Sequence, residues 1–159
     1  MKKYFMSMIM FATAFTTFSC GEKEQKETEF NYNVESFADV QIIRYKVDGF
    51  DELSLKQKTF IYYLNEAALW GRDILFDQNG RYNLEIRRML EDFYQNYKGD
   101  REDKNFKGVE EYLKRVWFSN GIHHHYGSEK FVPKFDRQWF VEQTKCSEEI
   151  AEVIFNPEV

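Results

Sequence analysis

The chain has 159 residues, enough for one ordinary domain, and its 43% hydrophobic and 18% aromatic content excludes a disordered polymer. Its formal charge is -5, or -7 with Lys2 and Lys3 set aside, and the cationic residues are interspersed with Glu and Asp. A phosphate-binding protein needs clustered Lys and Arg, so nucleic acid is not an expected partner.

Residues 1–19 read as a signal peptide. Lys2 and Lys3 give the positive start, and an apolar stretch runs from Phe5 to Phe18, interrupted by Thr13, Thr16 and Thr17. It is short for a spanning helix, which needs about 20 apolar residues. Cys20 follows, with Gly21 and the charged run Glu22 to Glu27 behind it. That order resembles a bacterial lipoprotein signal, cleaved before a cysteine that is then lipid-modified. Thr17 and Phe18 depart from the usual Leu and small-residue pattern; a plain secretory signal with Cys20 left as a thiol is the alternative. The expected product is exported and lipid-anchored in the cell envelope through Cys20, with residues 20–35 as a disordered tether and the membrane as a partner. Cys146 is then the one remaining cysteine, a half-buried small hydrophobe without a disulfide partner.

Order is expected from Phe37. The β-branched, alternating run Val40 to Val47 predicts a strand with Ile43, Tyr45 and Val47 on one face, closed by the turn pair Asp48-Gly49. Ser54 predicts the N-cap of a helix whose stripe is Phe60, Tyr63, Leu64, Ala67 and Ala68, ending near Gly71. Residues 72–80 lead into a second helix, capped by Asn83, with the stripe Ile86, Met89, Leu90, Phe93, Tyr94 and Tyr97. Both stripes are expected in the core. A third stripe, Val109, Tyr112, Leu113, Val116 and Trp117, ends where Asn120-Gly121 supply a left-handed C-terminal turn. Asp136 and Ser147 predict the caps of two short final helices. The fold class is therefore α+β, mainly helical with few strands.

All three histidines stand together in the run Trp117-Phe118-Ser119-Asn120-Gly121-Ile122-His123-His124-His125-Tyr126-Gly127, directly after a helix end. Residues in a strand alternate between faces, so only His123 and His125 would easily share an ion, and a catalytic zinc needs three protein ligands. Three readings stay open: a structural turn, a ligand-contacting loop and a metal site. The chain has no G-x-S-x-G, no phosphate loop and no dinucleotide fingerprint. Glu110-Glu111 and Glu148-Glu149 are adjacent on predicted helices, where neighbours diverge by about 100°, so neither pair forms a dyad.

Three ungapped blocks carry a resemblance, in order: Phe37 to Tyr45; Glu66 to Ile74 with Phe76 to Asn79; and Val116 to Tyr126. They resemble the N-terminal part of bacterial dipeptidyl peptidase III, and the likeness covers nearly all of residues 36–159. The family implies a zinc exopeptidase that removes dipeptides from free peptide N-termini, folded as two lobes around a wide cleft. The H-E-x-x-G-H helix that holds its zinc is absent here, so neither the ligands nor the general base can be carried over. By this resemblance residues 36–159 form an incomplete N-terminal lobe, part of a β-barrel-plus-helices lobe. Zinc belongs to the full-length enzyme and is not expected on this portion. Peptide substrates and the remainder of the peptidase chain are the implied partners. Asn120, His123, His125 and Tyr126 are then expected to face the cleft and hold a peptide backbone. The alternative is an exported lipoprotein that binds a peptide or partner through the same loop without catalysis.

Overall fold

The computed structural model describes residues 30–158. The expected signal peptide, Cys20 and the tether up to residue 29 lie outside the described residues. From Tyr32 onward the chain forms one unit. Its order is strand β1 (Asn33–Phe37), strand β2 (Val40–Ile43), a short 3-10 turn, then helices α1 (Leu55–Trp70), α2 (Arg72–Asn79), α3 (Asn83–Asn96), α4 (Lys104–Ser119), α5 (Arg137–Thr144) and α6 (Glu148–Phe155). The chain is thus mainly helical with one two-stranded sheet among the described residues.

The strands form an antiparallel ribbon, with Phe37 opposite Val40 and Asn33 opposite Ile43, turned tightly at Ala38 and Asp39. Order therefore begins before Phe37, inside the segment expected to be tether. Side chains explain it: Glu35 pairs with Lys114 at 2.6 Å and Asp39 pairs with Arg115, tying the ribbon to α4. The second strand is also shorter than expected. It stops at Ile43; Val40 and Ile42 are half-buried, whereas Ile43, Tyr45 and Val47 are exposed. The predicted face is thus the outward one, because no further strand covers it among the described residues. Gly49, at φ 80°, makes the expected turn.

Ser54 caps α1 with a reciprocal capping box: its N–H donates to Gln57 Oε1 at 2.9 Å, and its Oγ accepts from the Gln57 N–H. The helix forms where expected, but its stripe is not core. Phe60, Tyr63 and Leu64 are each more than half exposed, and α1 buries no residue. The physical reason is that apolar side chains run right round it, including Ile61, Tyr62, Leu69 and Trp70, so no one face is distinctly the inner one.

The core lies between α2 and α6. Phe76, Ile86, Leu90, Val109, Leu113, Val116 and Phe140 are fully buried, and Phe106, Ile150 and Ile154 close around them. Residues 72–79, expected as a connector, form α2 because Phe76 anchors one turn beneath α3. Rings supply much of the packing. Phe93 meets Trp139 edge-on at 6.0 Å and Phe140 at 6.4 Å, while Tyr97 stacks on Phe106 at 4.8 Å. Asp136 and Ser147 cap α5 and α6 as expected, accepting from the N–H groups of Trp139 and Ile150. Cys146 is a half-buried free thiol against this core.

Candidate functional site

The histidine segment hangs from the C-terminus of α4. Asn120 takes the left-handed conformation (φ 55°, ψ 35°), which Asn tolerates, and the N–H groups of Asn120 and Gly121 both donate to the Val116 carbonyl. Two asparagines outside the segment fix its path. Asn79 Nδ2 donates to the Asn120 carbonyl at 3.1 Å, and the Ile122 N–H donates to Asn83 Oδ1 at 3.2 Å. Asn83 is only 3% exposed, so this bond is made away from water. Gly121 has to be glycine: a Cβ there would stand 2.4 Å from Asn83 Nδ2. Ile122, 3% exposed, pins the strand-like start of the loop into the core.

Beyond Ile122 the backbone closes into a small hairpin. The Phe131 N–H donates to the Ile122 carbonyl at 2.9 Å, His123 pairs with Lys130, and the His124 N–H donates to the Glu129 carbonyl at 2.8 Å. Regular pairing ends at once. The Tyr126 N–H donates to His124 Nδ1 at 3.2 Å and the Gly127 N–H to the His124 carbonyl at 3.1 Å, which makes residues 124–127 a turn.

Because this is a turn, strand alternation does not separate the imidazoles. Asn120, His123, His124 and His125 line one open cleft of about 490 Å³, together with Asn79, Asn83 and Ser119. The rings of His124 and His125 stack at 4.6 Å, and Phe118 meets His125 edge-on at 4.9 Å. Tyr126 is not in the cleft wall; it is 89% exposed, with its ring 4.1 Å from that of His125. Three of the four residues singled out from sequence are therefore brought together, and the fourth sits at the rim.

The half-buried His123 has its pKa lowered, first by burial and then by the neighbouring Lys130. Lys130 is itself lowered by burial, against the opposing pull of Glu152, and its Nζ donates to the Asn156 carbonyl. His123 thus presents a neutral imidazole at neutral pH. Among the described residues no group of three or more His, Cys, Asp or Glu is placed to hold a metal ion. The paired acids are engaged elsewhere: Glu110 with Lys114, Glu111 with Lys134 and Arg115, Glu148 with Arg137, and Glu149 with the Tyr82 hydroxyl.

The residues that sequence reasoning passed over are Asn79, Asn83, Ser119 and His124. Asn83 was expected to cap α3, yet Tyr82 holds the cap position and Asn83, the first helical residue, turns inward to the loop. Its spacing from an apolar stripe looks the same in either role. The chemistry available in the cleft is hydrogen bonding: amide donors and acceptors from asparagines, and imidazoles beside exposed aromatic faces. The chain matches no family model and no curated protein.

Proposed function

We propose that this chain is the N-terminal portion of an exported, lipid-anchored dipeptidyl peptidase III, and that Asn120, His123 and His125 bind the backbone of its peptide substrate. The observation that supports this reading is the asparagine-braced cleft. Its polar groups suit the alternating donors and acceptors of an extended peptide, and no carboxylate or cation among its lining residues demands a charged ligand. The resemblance in the three sequence blocks supplies the reaction class. Zinc and the proton-transferring groups are assigned to a region of the complete enzyme outside these residues, so this chain alone binds without hydrolysing. The Tyr126 ring, standing beside His125 at the rim, provides an apolar face for a substrate side chain.

The test uses a zinc-loaded dipeptidyl peptidase that carries this chain as its N-terminal portion. Asn120→Ala or His125→Ala should raise KM or lower kcat about tenfold, as the loss of one hydrogen bond worth about 1.4 kcal/mol would. Zinc content should stay unchanged. Loss of zinc in either variant would place these residues at the metal and contradict the proposal, as would dipeptide release by the 159-residue chain alone in added zinc.

A further inference from the structure

Of the chain's asparagines only Asn79 and Asn120 precede glycine, and both line the cleft. An asparagine before glycine is a labile amide, because glycine has no Cβ to hinder attack by its own backbone nitrogen on the asparagine Cγ. The fold requires both glycines. A Cβ on Gly80 would stand 2.8 Å from Asn83 Nδ2, and a Cβ on Gly121 would collide with the same group. A bulkier residue at either position would displace the buried amide that accepts the Ile122 N–H.

The two pairs differ in what restrains them. Asn120 is half-buried and left-handed, Gly121 is buried, and the N–H groups of both donate to the Val116 carbonyl. The nitrogen that would have to attack there is held. Asn79 is exposed and is the last residue of α2, and the Gly80 N–H beyond it donates to no acceptor among the described residues. A helix end of this kind opens locally at low cost. The Asn79 side chain is tied to the cleft by the bond from its Nδ2 to the Asn120 carbonyl at 3.1 Å.

We propose that Asn79 is a site of spontaneous deamidation, and that the reaction unfastens the cleft loop. The Gly80 nitrogen loses its proton and attacks Asn79 Cγ, forming a C–N bond; the Cγ–Nδ2 bond breaks and that nitrogen leaves as ammonia. Water then opens the cyclic imide at either carbonyl, giving aspartate or isoaspartate. Either product carries a new carboxylate. The group that donated to the Asn120 carbonyl becomes an acceptor, so an attraction turns into repulsion between two oxygens. No other carboxylate lines the cleft, so the product also gives its wall a negative charge. This inference stands apart from the peptide-binding proposal, since the reaction needs no ligand.

The test is peptide mapping of the full chain after incubation at mildly alkaline pH, which helps ionise the attacking amide. Trypsin places Asn79 in peptide 73–81 and Asn120 in peptide 116–130. Peptide 73–81 should gain the mass of an amide exchanged for an acid and split into aspartate and isoaspartate forms, while 116–130 keeps its amide. In urea, where the hold of the Val116 carbonyl is gone, the two should convert at one rate. Conversion of 116–130 ahead of 73–81 in the folded chain would overturn the assignment, as would conversion of both in urea and of neither when folded. Asn79→Asp supplies one product directly and should keep the helical circular dichroism, because Asn79 is exposed. The amide hydrogens of Asn120, Gly121 and Ile122 should exchange faster in that variant than in the parent chain. Unchanged exchange at all three would overturn the unfastening.

Discussion

At the residue scale the site depends on a buried amide that braces the loop through its backbone. Asn83 is 3% exposed and accepts the Ile122 N–H, so Asn83→Ala would leave that donor buried without a partner. The cost should be about 1–3 kcal/mol, read as a lower denaturant midpoint with an unchanged slope. The imidazole resonances should broaden together as the loop loses its anchor. His123 contributes a pH dependence of its own. Its pKa is lowered below the ordinary 6.5, so the unfolded chain binds the proton more readily than the folded one. His123 therefore costs nothing above the unfolded pKa, and stability is lost as pH falls through 6.5 towards the folded value. Unfolding measured between about pH 7 and 5 should show a shallower decline in His123→Gln than in the parent chain. Equal slopes would mean that burial of His123 does not disfavour its charged form. Carboxylates held low by cations, Asp39 by Arg115 and Asp73 by Arg88 and Arg87, act in the same direction but at more acid pH, below their ordinary 3.8.

At the element scale the ribbon of β1 and β2 is held differently from the helices. Its side chains are mostly exposed, and its ties to α4 include the ion pairs of Lys114 and Arg115 and the Lys114 ammonium over the Phe37 ring. Few buried apolar contacts mean a low local opening energy. Amide hydrogens of residues 33–43 should exchange well before those of α3 and α4, and Arg115→Ala should widen the gap. Ribbon protection equal to that of α4 would show that it belongs to the core. The same contrast explains what could be read from sequence. The stripes of α3 and α4 and the caps Ser54, Asp136 and Ser147 were legible because each rests on local spacing and one short-range bond. The exposure of α1 was not, since a helical period gives the pitch of the apolar residues but does not say whether anything lies opposite. The cleft was legible only in part. Asn120, His123 and His125 were visible as a polar cluster at a helix end, whereas Asn79 and Asn83 reach the loop across about 40 residues of chain, at separations of 41 and 39. Tyr126 and His124 exchanged their expected places because a turn, not a strand, carries the rings.

At the scale of the whole molecule one aromatic core, running from Phe76 to Phe155, supports two surfaces of opposite character. One is the polar cleft at the end of α4, braced by buried amides. The other is the apolar helix α1, which the core does not use. A chain built only to be stable would bury the second and would not need the first. The central claim is that the cleft binds peptide without cleaving it. Its most direct test is a nuclear magnetic resonance titration of the ¹⁵N-labelled chain with a short peptide bearing a free N-terminus. The expected result is saturable shifts concentrated at Asn79, Asn83 and residues 120–128, lost in Asn120→Ala, with the peptide recovered intact. Shifts that avoid this segment, or their complete absence at millimolar peptide, would contradict the account.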